Sequence, residues 1–238
     1  MLLAVLSDIH ANLSALNAVV QDLKASGAQK VLVLGDLVGY LTRPNEVVQF
    51  VRTAGWECVV GNYDLAVLTG PEHGPARYLA PGLSEQALEV FRWSCQATGA
   101  QARRYLSGLA QRRKIEIAGR RILMVHASPA GIRDYVYPDT PDEKLSRWLN
   151  EEEVEVLLLG HTHIPFVRKL PKGLVVNPGS VGKSKDADPR ASYALVELTP
   201  SGLYATIRRV AYDIDAEAAL LKAAGFPQER ITALYEGT

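Results

Sequence analysis

Five short apolar runs in this chain stop abruptly, each on one or two polar residues able to bind a metal. Residues 2–7 stop at Asp8 and His10, residues 30–35 at Asp36, and residues 57–60 at Asn62. Residues 121–126 stop on His126, and residues 154–160 at His161 and His163. Runs this short and this apolar read as strands, most of them buried in a parallel sheet. Four of the chain's 5 histidines fall at such ends. Open α/β sheets bind their ligands just beyond the carboxyl ends of the strands. The pattern therefore predicts oxygen and nitrogen donors delivered to one edge of a sheet.

The intervening segments agree. Residues 13–25 place Leu13, Leu16, Val20 and Leu23 on one helical face, with Asn12 as N-cap and Gly27 as stop. A helix over 44–54 begins at Pro44, which suits a first turn. Residues 63–82 are rich in Gly and Pro and read in part as loop. Ser84 caps a helix reaching about 97, and a second helix covers 100–110. Residues 115–118 and 121–126 form a hairpin around Ala118-Gly119-Arg120, and 141–151 is helical. The last third changes character. Strands at 166–170, 174–177, 192–198 and 203–211 alternate as an antiparallel sheet with one partly wet face does, and helices at 214–224 and 227–235 close the chain. One domain over residues 1–238 is the simplest organisation.

Composition excludes several classes. Lys plus Arg and Asp plus Glu are both 26, so no net field attracts a long polyanion, and nucleic acid is not an expected partner. Cys58 and Cys95 show no C-x-x-C spacing and read as thiols of a reducing compartment. The first apolar run has no basic residues before it and meets Asp8, unlike a signal peptide. No stretch approaches the ~20 apolar residues of a membrane helix. A soluble cytoplasmic protein with no membrane partner is expected.

Asp8-Ile9-His10 and His161-Thr162-His163 are both i, i+2 pairs. In extended chain such pairs share one side, with Cβ atoms roughly 6–7 Å apart. Two cations about 3.5–4 Å apart can be clasped from that distance. Carboxylate, imidazole and amide together suit Mn, Fe, Zn, Co or Ni better than Ca or Mg. Any one motif has a bland reading: Asp36 as a helix cap, Asn62 as a turn, His126 as a core histidine. The bland readings fail jointly, because each must place a donor at the same edge independently.

The ordered set D-x-H, G-D, G-N-x-D, a lone His and G-H-x-H resembles the calcineurin-like metallophosphoesterase superfamily. Gly39-Tyr40, Pro44-Asn45-Glu46, Asn177-Pro178-Gly179-Ser180 and the strand around Tyr193 resemble its small bacterial and archaeal phosphodiesterases, from Met1 to about residue 212. The resemblance implies an α/β (α+β) fold, a two-sheet β-sandwich flanked by helices. It implies two divalent metal ions, with manganese expected and iron, zinc, nickel or cobalt as alternatives. Asp8, His10 and His163 would hold one metal, Asn62, His126 and His161 the other, and Asp36 would bridge. A hydroxide between the metals would attack a small phosphoester substrate in line. Members of this branch are often homo-oligomers.

One position departs from the family pattern. The usual G-N-H-D, whose His donates a proton to the leaving oxygen, is Gly61-Asn62-Tyr63-Asp64 here. Asn62, Tyr63, Asp64 and His126 are the candidate catalytic residues. A phenol of pKa about 10 is a poorer acid than imidazolium at neutral pH, and a packed aromatic is an equal reading of Tyr63. The departure tilts the expected activity toward diesters. A phosphomonoesterase or nucleotide phosphatase is the alternative, and a non-enzymatic protein-binding scaffold of the same fold a more distant one.

Overall fold

The computed structural model describes residues 1–238. Strand β1 (Leu2–Leu6) leads through helix α1 (Leu13–Ser26) to β2 (Lys30–Val33), and α2 (Pro44–Thr53) leads to β3 (Glu57–Cys58). Four helices follow: α3 (Asn62–Thr69), α4 (Gly74–Tyr78), α5 (Glu85–Ala97) and α6 (Ala100–Ser107). Then come β4 (Arg112–Ile117), β5 (Arg120–Val125), α7 (Asp142–Glu151), β6 (Val156–Leu158), β7 (Phe166–Leu170) and β8 (Gly173–Asn177). The chain ends with β9 (Ala191–Thr199), β10 (Gly202–Val210), α8 (Ile214–Ala223) and α9 (Gln228–Glu236).

The strands form two mixed sheets of five, in the orders β10-β9-β1-β2-β3 and β4-β5-β6-β8-β7. Strands β1, β2 and β3 run parallel in the first, and β5, β6 and β8 in the second. Period-two alternation builds the layers. Leu3 and Val5 of β1 face the second sheet, where Ile122, Met124, Val156 and Leu158 share one cluster with them. Ala4 and Leu6 point the other way, toward Leu16, Val19, Val47 and Val51 of the covering helices. Leu123, Leu157 and Val175, on the outer face of the second sheet, pack on Leu145, Trp148 and Leu149 of α7. The order is therefore helices, sheet, sheet, helix.

Most expected elements form, with differences at their ends. The strand expected at 57–60 pairs over Glu57–Cys58 alone, and the one expected at 154–160 over Val156–Leu158. Beyond those points the chain leaves the ladder to build the site. The Gly/Pro-rich segment 63–82 holds α3 and α4. Asn12 and Ser84 cap as expected, accepting from the amides of Ala15 at 2.9 Å and Ala87 at 3.2 Å. Leu203, Ala205 and Ile207 pack inward while Tyr204 is exposed, the alternation expected of β10. Cys58 and Cys95 are buried free thiols. No helix is long and apolar enough to cross a membrane.

Leu158 is fully buried in the layer between the sheets. Leu158→Ala is expected to cost about 3 kcal/mol of unfolding free energy in urea titration. A loss below about 1 kcal/mol would show that this layer collapses around the cavity.

Candidate metal centre

Carboxyl ends of strands from both sheets meet at one edge. The amide of Asp8 donates to Gly35 O at 3.1 Å, Val181 N to Ser7 O at 3.0 Å, and Gly160 N to His126 O at 2.7 Å. These bonds tie the loops after β1, β2, β5, β6 and β8 into one rim.

The rim is not extended chain. Asp8, His10, Asp36, His161 and His163 have φ of 54°, 48°, 53°, 68° and 62°. The geometric reason expected for the i, i+2 pairs, alternation in an extended strand, is thus incorrect. The pairs converge because consecutive loops turn through the left-handed region. That region costs a non-glycine residue roughly 1–2 kcal/mol, and such outliers concentrate at functional sites. Two glycines make the close approaches. A Cβ on Gly61 would lie 1.9 Å from Asp36 Oδ1, and one on Gly160 2.0 Å from Ser7 Oγ.

Three imidazoles are oriented by main-chain carbonyls. His10 Nδ1 donates to Val38 O at 2.9 Å, His126 Nδ1 to Leu34 O at 2.7 Å, and His163 Nδ1 to Lys183 O. A carbonyl can only accept, so in the neutral rings the single proton sits on Nδ1 and each Nε2 presents a lone pair. Those lone pairs meet other acceptors. His10 Nε2 is 3.2 Å from His163 Nε2. His126 Nε2 is 2.8 Å from Asn62 Oδ1, an orientation fixed because Asn62 Nδ2 donates to Tyr78 O at 3.0 Å.

The carboxylates show the same division. Asp8 Oδ2 accepts from Ser7 Oγ at 2.6 Å and from the amide of His161 at 3.0 Å. Its Oδ1 is buried with no hydrogen-bond partner, 3.2 Å from His163 Nε2 and 3.6 Å from His10 Nε2. Asp36 Oδ1 accepts from the amide of Tyr63 at 2.8 Å. Its Oδ2 lies between His10 Nε2 at 3.6 Å and His126 Nε2 at 3.5 Å. His161 Nε2 is buried without a partner as well. Asp8, His10 and His163 form one group whose ligand atoms lie within 4.8 Å of one another, and Asp8, Asp36 and His126 form another. The donor set fits divalent cations, because carboxylate oxygens and imidazole nitrogens converge within reach of one another.

Ionisation follows burial and charge. Burial alone would raise Asp8, but the neighbouring imidazoles, His163 foremost, outweigh it and hold the carboxyl well below the usual range. Burial pushes Asp36 well above that range, and Asp64 and Asp8 add to the push. Burial, with the His126 ring beside it, lowers His161 to about 3, so this ring is neutral at pH 7.

Two candidates stand apart. Asp64 is fully buried beneath the rim, accepting from the amides of Leu37 at 2.9 Å, Val38 at 3.1 Å and Gly61 at 3.0 Å. It straps the Asp36 loop to the start of α3. Tyr63 is also buried, its ring against Gly39, Tyr40 and Phe91, and burial raises its hydroxyl well above the usual value. Asn177 and Ser180 hold the rim from behind: Asn177 Nδ2 donates to Gly160 O at 2.9 Å, and Ser180 Oγ to Asp8 O at 2.7 Å. Sequence reasoning missed Lys183, Lys185 and Arg230, which line the adjoining cleft. Lys183-Ser184-Lys185, directly after the loop of Asn177 and Ser180, was a legible signal; Arg230 had none.

A two-sheet α/β sandwich with carboxylates and imidazoles gathered at its strand ends defines a metal-binding hydrolase. The sequence profile of the calcineurin-like phosphoesterase superfamily domain matches residues 1–201, and the chain belongs to that superfamily. It is 32% identical over 238 positions to the uncharacterized protein MJ0912 of Methanocaldococcus jannaschii, covering 90% of this chain and 88% of that one. It is 27% identical over 193 positions to phosphodiesterase YfcE of Escherichia coli, covering 80% and 84%. A metallophosphoesterase from Sphaerobacter thermophilus superposes with a TM-score of 0.81 at 30% identity, over 100% of this chain and 99% of that one. The protein is thus a metal-dependent phosphoesterase, and its family implies divalent ions.

Without metal, the depressed His161 pKa sets a pH dependence. The unfolded chain takes up a proton below 6.5, while the folded chain resists until about 3. Stability from this group is therefore lost as pH falls across that window. Urea unfolding of metal-stripped protein is expected to show a shallower acid loss in His161→Gln. An unchanged slope would mean that His161 titrates normally.

Proposed function

We propose that the protein hydrolyses small phosphodiesters, nucleotides included, with two divalent cations at this rim. The observation that carries the reading is the pair of close contacts between ligand atoms, His10 with His163 and His126 with Asn62. With neutral rings each sets two lone pairs against one another, which a cation beside them would relieve, and there are two. In this reading Asp8, His10 and His163 hold the first ion, and Asn62, His126 and His161 the second. Asp36, whose Oδ2 lies between His10 and His126, would be shared by both. Manganese is the first choice, and iron, zinc, nickel or cobalt suits the same donors. Such a pair supplies an activated water and positive charge for the phosphoryl oxygens.

The chain's own residues do the rest. Neutral imidazoles need lose no proton to bind a cation, since their Nδ1 protons are held by carbonyls. Asp64 keeps Asp36 in place through three main-chain bonds. Tyr63 stays protonated at working pH, able to donate a hydrogen bond and poor at giving up its proton. The leaving oxygen therefore departs with little protonation, which favours esters of acidic alcohols. The similarity to YfcE, a phosphodiesterase, supports the diester reading.

The test uses metal-stripped protein re-supplied with manganese, nickel, cobalt or zinc. Two equivalents of metal should bind, and bis-p-nitrophenyl phosphate should be cleaved faster than p-nitrophenyl phosphate. Asp36→Ala should lower turnover by about a hundredfold or more. One equivalent at saturation would exclude the dinuclear reading, and a faster monoester would exclude the diesterase.

A further inference from the structure

The cleft beside the candidate ligands has a volume of about 270 Å³, and Lys183, Lys185 and Arg230 stand in its walls. Arg230 belongs to α9, beyond the residues matched by the superfamily domain. The surface basic clusters each have carboxylate partners: Arg112 and Lys114 pair with Glu152, Arg113 with Glu57, and Arg120 and Arg121 with Glu155. The cleft cations differ. Neither Lys185 nor Arg230 pairs with a carboxylate, and neither side chain donates a hydrogen bond to the protein. Lys183 Nζ donates to Thr238 O at 2.6 Å.

Arg230 is nevertheless positioned. Its guanidinium lies 5.9 Å from the centre of the Tyr40 ring, and that ring packs edge-on against His10 at 4.6 Å. A cation–π contact orients guanidinium while leaving its charge and N–H groups free. The helix carrying it is docked independently. Ile231 and Leu234 share a buried cluster with Leu221, Phe226, Leu41 and Ala11. Glu217 of α8 is fully buried, accepts from the amide of Ser14 at 3.0 Å and pairs with Arg43.

Charge balance then indicates the ligand. The candidate metal ligands include two carboxylates, Asp8 and Asp36, fewer than two divalent cations require. Unpaired Lys185 and Arg230 add to the positive excess, and a diester brings one negative charge at its reacting phosphorus. We infer that Arg230 and Lys185 form a second anion subsite, taking a non-reacting phosphoryl group, so that the substrate is a phosphoester bearing a second phosphoryl group close to the reacting one. The inference rests on the phosphoesterase reading above. Guanidinium suits the task because its planar fork matches phosphoryl oxygens in pairs.

The experiment measures binding by calorimetry to manganese-loaded protein, with methylphosphonate as the one-phosphoryl probe and methylenediphosphonate as the two-phosphoryl probe. Wild type should prefer methylenediphosphonate by about tenfold or more, and Arg230→Gln and Lys185→Gln should each remove most of that preference. Arg230→Lys should keep part of it. Methylenediphosphonate can reach both cations, so the dependence on Arg230 and Lys185 is the decisive reading. Wild-type selectivity retained in both Gln variants would overturn the subsite. Cleavage of bis-p-nitrophenyl phosphate in the same preparation separates the two ideas. Cleavage without Arg230-dependent selectivity leaves the phosphoesterase and removes the subsite. Selectivity without cleavage by any metal form does the reverse.

Discussion

The rim depends on where three protons sit. The Nδ1 protons of His10, His126 and His163 are committed to carbonyls of Val38, Leu34 and Lys183. Those carbonyls lie in the loops after β2 and β8, so the hydrogen bonds that aim the rings also lock neighbouring loops together. In the neutral rings the consequence is a set of Nε2 lone pairs facing inward. Buried acceptors left this way are costly, and the fold carries the cost in its interior. A cation that removes it stabilises the folded chain, because the unfolded chain offers no such array.

Backbone strain and carboxylate ionisation fit the same logic. Five candidate ligands hold positive φ, an arrangement that persists only when the surroundings over-determine it. Here they do: Asp8 is fixed by Ser7, His161 and Ser180, Asp36 by Tyr63, its loop by Asp64, and the loop of His161 by Asn177. Asp8 and Asp36 are pushed in opposite directions, one ionised by imidazoles and the other raised by burial and neighbouring carboxylates. A divalent ion reverses the pressure on Asp36, since it favours the charged form. The groups that look least comfortable alone are those a cation would relieve.

Much of this was legible in the sequence, for a definite reason. An apolar run ending in Asp or His reports both a strand and the direction of its carboxyl end, so the placement of Asp8, Asp36, His126 and His161 at one edge followed from topology. The backbone turn that brings Asp8 and His10 together did not follow, because positive φ is uncommon even for Asp and His, and an apolar run reports extended chain up to its end. The glycines of Gly61-Asn62 and Gly160-His161 were read as parts of motifs. Their physical role, contact with Asp36 and Ser7, needs the fold. Asp64 reads in the sequence as a candidate catalytic residue, whereas its oxygens serve three main-chain amides.

Arg230 marks where local reading ends. Nothing around it in the sequence indicates a site, and its place depends on α8 and α9 folding back over the rim through Glu217, Ile231 and Leu234. The metal ligands come from the strand ends that the whole superfamily domain provides. The cations in the cleft come from a loop after β8 and from a helix beyond that domain. Arg230 is therefore carried outside the part of the chain that supplies the candidate ligands, whereas Lys185 follows Lys183, whose carbonyl aims His163. The two parts are also in contact, because Ile231 and Leu234 of α9 share a buried cluster with Ala11, the neighbour of His10. A change in the docked helix would act first on Arg230 and, through Ala11, on the rim as well.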